Sequence, residues 1–291
     1  MAMSSSSAST SDADRPARVG RLVLVGTPIG NLGDLPPRAV EALAAADLVC
    51  CEDTRRTGRL LQHAGVRAKA LRVVNDHTEG GAVDDVLARL GAGEIVAVVS
   101  DAGMPGISDP GEQLVAAAAA AGFTIEVVPG PSAAVTALVA SGLPAGRFAF
   151  EGFLPRKGSG RTQRIATIAG ERRTVVLYEA PHRVARTVAD LSAACGPDRR
   201  VVLARELTKL HEEHWRGTLG EAAAHLHAVE PRGEYVVVLD GAPAPDEVTD
   251  DEIVAALHQT RAAGASTRDA VTEVAAELGV AKRRVYQLAT A

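Results

Sequence analysis

The sequence predicts an α/β protein of two lobes with a small helical appendage, and three observations carry that prediction. Short β-branched apolar runs alternate with helical segments over residues 21–131 and again over 147–241. A Pro/Gly-rich break at Val128–Ser132 separates the two series. Beyond a stiff Gly241–Pro245 linker the pattern turns wholly helical.

In the first lobe, apolar runs at 22–25, 47–51, 71–74, 95–99 and 125–128 predict buried strands. Helical segments near 36–46, 54–64, 80–91 and 111–121 lie between them. This alternation predicts parallel strands joined by crossovers. Ser132 is placed to cap a helix over 133–141, and residues 132–146 read as a hinge between the lobes. The second lobe shows strands near 147–151, 174–178, 200–204, 212–218 and 235–240, the last two partly antiparallel. Its helices fall near 160–170, 181–194 and 219–228. Residues 246–291 predict three helices near 249–262, 267–278 and 281–290. The last pair resembles a helix-turn-helix opened by Lys282, Arg283 and Arg284. That pair suits a docking appendage as well as a nucleic-acid contact.

A chain of 291 residues with 46% hydrophobic and only 3% aromatic content builds its cores from Val, Leu, Ile and Ala. The net charge of −5 excludes a protein that coats nucleic acid non-specifically, so any RNA partner needs a local basic patch. Cys50, Cys51 and Cys195 form a sparse, odd set that points to a reducing compartment and away from structural zinc. Residues 1–20 are polar and Ser-rich and are expected as a disordered tail, neither signal peptide nor anchor. No stretch offers about 20 apolar residues for a membrane span.

Residues 99–111 hold three glycines, two prolines and two aspartates, Asp101 and Asp109, between a strand and a helix. A plain connection needs only a few residues, so this length and backbone chemistry point to a ligand site. The loop after the first strand, Gly26 to Asp34, is Gly-rich but spaced G-x-x-x-G-x-x-G. Pro28 removes a backbone N–H, and no G-x-x-x-x-G-K-[ST] is present, so the usual NAD and ATP cradles are excluded. Arg55, Arg56 and Arg59 open the helix after Asp53 against its dipole, which favours an anionic partner there. Asp53 or Thr54 is expected to cap it. Arg156, Lys157, Arg161 and Arg164 stand on a Gly-Ser loop with no acid among them, a solvated loop or a phosphate contact. His211 and His214 flank two glutamates, but i and i+3 diverge on a strand, so no metal site is expected.

The motifs GTPIGNLGD, CEDTRRT, SDAGMPGISDPG, VPGPSA, GFLPRK, YEAPHR, ARELTKLHEE and GEYVVVL occur in this order over roughly 23–239. Together they closely resemble the ribosomal RNA small subunit methyltransferase I proteins. These belong to the tetrapyrrole methylase superfamily, the class III S-adenosyl-L-methionine-dependent methyltransferases. The resemblance implies 2′-O-methylation of a cytidine in the decoding region of 16S rRNA, on free rRNA or the 30S subunit. It further implies a cytoplasmic homodimer that holds S-adenosyl-L-methionine between two lobes, with no DNA or membrane partner. YEAPHR carries alanine where many relatives carry serine.

Carried over by motif, the cofactor pocket falls on Pro28, Asp101, Gly103, Met104, Ser132 and Ala133, with Phe153, Tyr178 and Leu207 from the second lobe. Asp101 is expected to face the cofactor, and Asp109 to cap the next helix. Strand-end position and charge nominate Lys209, deprotonated or stabilising the alkoxide, and Glu206 as the catalytic pair. Asn31, Arg55, Arg156, Lys157, Arg161 and Arg183 are expected to grip RNA. Two rivals stay open: a precorrin C-methyltransferase of the same fold, and a non-catalytic RNA-binding assembly factor.

Overall fold

Five apolar strands build the first sheet: β1 (Arg21–Val25), β2 (Leu48–Cys51), β3 (Leu71–Val73), β4 (Ile95–Val99) and β5 (Thr124–Val128). The structure, a computed structural model, describes residues 19–75, 77–244 and 248–290. Of the predicted Ser-rich tail, residues 1–18 lie outside the described residues, as do linker residues 245–247. All pairings in this sheet are parallel, in the order β3-β2-β4-β1-β5. Because successive side chains alternate, the strands feed two cores. Val23, Val25, Cys51 and Val99 pack with α1 (Pro37–Ala45) and with Leu61 of α2 (Thr54–His63). Leu22, Cys50, Val96 and Val98 pack with α3 (Glu79–Gly91) and α4 (Glu112–Ala120). Cys50 and Cys51 therefore serve opposite faces, and burial pushes the Cys50 thiol up to about 12.

Two of the strands predicted as buried are not. β3 and β5 are the sheet edges, and Leu71, Val73 and Val127 are all at least 40% exposed. An edge strand has one neighbour, so apolar composition alone does not bury it.

The second sheet holds β6 (Phe148–Phe153), β7 (Thr174–Glu179), β8 (Arg200–Arg205), β9 (Glu213–Thr218) and β10 (Tyr235–Leu239), in the order β6-β7-β10-β8-β9. β6 and β7 are parallel, whereas β10 runs antiparallel to both β7 and β8. β9 and β10 do not pair with each other, because β8 lies between them and is antiparallel to each. One face is covered by α6 (Ser159–Gly170), α7 (Pro181–Cys195) and α8 (Leu219–Ala228). The other face is covered by α5 (Ala133–Ser141), through Ala134, Ala137 and Leu138. Ser132 occupies the N-cap of α5, but its side chain makes no capping bond there.

The described residues as far as Ala242 form one compact unit and those from Pro243 a second. The second contains α9 (Asp250–Ala262), α10 (Thr267–Glu277) and α11 (Lys282–Ala289) around Ile253, Val274 and Val285. Ser266 caps α10, and Arg284 is spent on Asp250 and the Val248 carbonyl. Among the described residues no helix is long and apolar enough to cross a membrane.

Candidate functional site

Parallel pairing brings Val25, Val99 and Val128 level, so the loops that leave β1, β4 and β5 start side by side. Ligands in open α/β sheets sit at such carboxyl ends. Thr27 N donates to the Gly103 carbonyl at 2.8 Å and Gly103 N donates back at 3.1 Å. A Cβ on Gly26 would lie 2.6 Å from the Gly130 backbone, so only glycine permits this approach. The same first loop meets the second sheet. Asn31 N donates to Thr208 Oγ1 at 3.1 Å, and a Cβ on Gly30 would stand 2.5 Å from Lys209 Cγ.

These loops enclose a cavity of about 500 Å³, well inside the range of roughly 300–1,000 Å³ typical of small-molecule sites. Asp101, Gly103, Met104, Ser132 and Ala133 line it from the first sheet's loops and α5, and Phe153, Tyr178 and Leu207 from the second sheet. Pro28 does not; it lines a neighbouring cavity of about 280 Å³. The Tyr178 ring is held edge-on by Phe150 at 5.0 Å and leans on Phe153 at 5.6 Å. Its hydroxyl accepts from Ala134 N at 3.2 Å, and burial pushes the phenol up. Asp101 is fixed from both ends: its N–H donates to Glu52 Oε1, and its Oδ1 accepts from Asp53 N. Burial raises the Asp101 carboxyl against the pull of Arg56, 3.4 Å away. Apolar walls, bare backbone and anchored carboxylates suit a molecule with an aromatic ring, an aliphatic chain and polar ends. S-adenosylmethionine fits that description.

Asp109 is not the cap of α4. It lines the cavity, and the N-cap position belongs to Gly111. The cap comes from Glu79, whose buried carboxylate accepts from the N–H groups of Gly111, Gln113 and Leu114. Three donors at a helix start satisfy one carboxylate better than a side chain two residues before the turn. At α2 the expectation holds: Asp53 accepts from Arg55 N at 2.8 Å.

Lys209 lines the smaller cavity. Its Nζ donates to Glu206 Oε1 at 2.9 Å and Glu234 Oε2 at 2.7 Å. Burial alone would lower its pKa, but the two carboxylates outweigh it and raise the group above its ordinary 10.5. That pairing favours the ammonium, the form expected to stabilise an alkoxide. Glu206 also accepts from Glu234 N, and its φ of 51° is left-handed. A Cβ on Gly233 would collide with its carboxyl, so Gly233 makes room for this strained turn.

The predicted RNA-gripping residues divide. Arg156 and Lys157 are exposed. Arg161, expected on an exposed patch, is 5% exposed instead, bound to Asp190, Thr187 and the Pro155 carbonyl. Arg164 pairs with Glu151 at 2.6 Å. Arg183 is held by Glu179 and the Leu154 carbonyl, and Arg55 by Asp53. Asn31 accepts from Gly33 N, shaping a 3-10 turn. A long cationic side chain near a buried carboxylate is consumed by it, and sequence spacing does not show that. Of the three arginines expected to meet an anion, Arg56 lines both cavities, Arg59 lines the smaller, and Arg55 lines neither; Glu234, within GEYVVVL but not singled out in the sequence, lines both. Helical spacing alone does not separate them, since Arg59 is three residues from Arg56 and four from Arg55 and so neighbours both.

The profile of the Tetrapyrrole (Corrin/Porphyrin) Methylases matches residues 21–223. A Synechocystis protein named ribosomal RNA small subunit methyltransferase I is 45% identical, over 93% of this chain and 97% of its own. A Mycobacterium bovis protein of the same name is 46% identical over 92% and 93%. Among solved structures, the methyltransferase CobJ superposes with a TM-score of 0.60 at 22% identity, covering 78% of this chain and 97% of its own. Cobalt precorrin-4 methyltransferase CbiF gives 0.56 at 17%, over 81% and 100%. At such identities these two share the fold alone.

Proposed function

As this chain belongs to the tetrapyrrole methylase family, and within it to the ribosomal RNA small subunit methyltransferase I proteins, we propose that it methylates 16S rRNA, using S-adenosylmethionine to modify a cytidine 2′-hydroxyl in the decoding region. The observation that carries the reading is the 500 Å³ cavity, where the GTPIGNLGD, SDAGMPGISDPG, VPGPSA, YEAPHR and ARELTKLHEE segments meet. When bound, S-adenosylmethionine supplies an activated methyl group on a sulfonium.

The chain's residues then have definable tasks. Met104, Ala133, Phe153, Tyr178 and Leu207 give apolar walls, and the anchored Asp101 gives a fixed polar contact. Lys209, kept charged by two glutamates, stabilises negative charge developing on a ribose oxygen. As an ammonium it leaves the hydroxyl proton to another group. Asp101 and Glu234, on the wall common to both cavities, are the carboxylates placed to receive it. A 16S rRNA substrate, free or in the 30S subunit, a homodimer and a cytoplasmic location complete the reading.

Mass mapping of 16S rRNA from cells with and without the protein tests it. A ribose methyl on one cytidine, lost in the deletion, is expected; an unchanged map overturns the reading. Calorimetry with S-adenosylmethionine separates it from a non-catalytic assembly factor, which would bind none. Light scattering tests the dimer.

A further inference from the structure

We infer that the smaller cavity, beside Arg56, Arg59 and Lys209, is the subsite for the target nucleotide, with Arg59 gripping its phosphate; this rests on the proposed methyltransferase function. The two cavities are contiguous, sharing Ile29, Arg56, Asp101, Ala102 and Glu234. Methyl transfer needs donor and acceptor held in contact, so an acceptor belongs in a space that opens onto the donor's. At about 280 Å³ the smaller cavity suits one splayed nucleotide and excludes a duplex. Its floor is Ile29, Thr57 and Leu60, all under 9% exposed, and Pro28 and Leu32 give it apolar surface for a base or sugar.

Charge accounting selects Arg59. Four cations stand on α2's first turns and at the cavity edge. Arg55 is bound by Asp53, Arg56 faces Asp101, and Lys209 is held by Glu206 and Glu234. Arg59 lines the cavity, is exposed, and has no ion-pair partner among the described residues. It lies one helical turn beyond Arg56 on the same face. A guanidinium without an acid beside it, at the rim of a cavity this size, fits a phosphate. Lys209 on the same wall then faces the ribose.

The test uses the full chain, 30S subunits from cells lacking the protein, and S-adenosylhomocysteine as the binding probe. Arg59→Ala should raise KM for the subunits about tenfold, leave kcat within about twofold, and leave probe binding unchanged; Arg59→Lys should recover part of the loss. Leu32→Trp, which fills the cavity, should abolish turnover while the protein stays folded and binds the probe. If the parent enzyme methylates 30S subunits but Arg59→Ala keeps its KM, or Leu32→Trp keeps its turnover, the subsite is elsewhere. If the parent enzyme methylates nothing, the proposed function itself fails.

Discussion

Lys209 sits between two carboxylates, and that arrangement decides its chemistry. Its ammonium gains more from Glu206 and Glu234 than it loses by burial, so its pKa rises. Burial would raise Glu206, but the bonds from Lys209 and Glu234 N together with the nearby Lys209 and Arg205 charges outweigh it and lower that carboxyl below 4.5. The signs set the window. The lysine's contribution to stability is complete below its unfolded pKa and is lost as pH climbs through the raised folded value. The glutamate's is complete above its unfolded pKa and is lost as pH falls through the lowered one. Across neutral pH both are charged, so the rate at saturating substrate should show no rising limb from a lysine between about pH 7 and 9. A limb there that vanishes in Lys209→Met would reinstate the neutral amine. Lys209→Met should cut kcat by roughly 10²–10³-fold without weakening S-adenosylhomocysteine. Asp109→Asn should weaken that ligand about fivefold with an unchanged melting temperature, since Asp109 lines the cavity and Glu79 does the capping. A drop in melting temperature with unchanged affinity would return Asp109 to a cap. The motifs made the identity of such residues legible. They did not show which charges cancel, because Lys209 and Glu234 meet across 25 positions.

At the scale of elements, strands and helices were readable from apolar period, and their order from the alternation. What period cannot carry is which strand ends at an edge, or which distant side chain finishes a helix. β3 and β5 have the composition of buried strands and lie at the margins. α4 is capped from 32 residues upstream. Glu79→Ala leaves the N–H groups of Gly111, Gln113 and Leu114 without their acceptor at a site where Glu79 is 4% exposed. The expected cost is about 1–3 kcal/mol, read as a melting temperature lowered by roughly 2–4 °C per kcal/mol in a domain of this size. Glu79→Gln keeps one acceptor oxygen and should recover part of it. Equal melting of Glu79→Ala and the parent would show that water replaces the cap. The loop after β4 is thereby held at both ends, by the Thr27–Gly103 bridge and by Glu79, which keeps Asp101 and Met104 in place without a ligand.

For the whole molecule, a net charge of −5 must coexist with a polyanionic substrate, so binding depends on where cations are unspent. The Arg156–Arg164 segment looks like a patch of four in sequence and presents two. Arg161 is locked under Thr187 and Asp190, and Arg164 is paired with Glu151. Each phosphate contact contributes about 0.7 to the slope of log affinity against log salt for single-stranded nucleic acid. Arg156→Ser with Lys157→Ser should therefore lower the magnitude of that slope for rRNA by about 1.4 if both cations meet phosphates. Adding Arg164→Ser should change it little, because its charge is already answered. Arg161→Ser should instead lower the melting temperature, since it removes a buried guanidinium that ties together Asp190, the Thr187 hydroxyl and the Pro155 carbonyl. A slope loss near 2.8 for the four-fold variant, with unchanged melting, would mean that all four cations leave their acids for RNA and that the substrate remodels this surface.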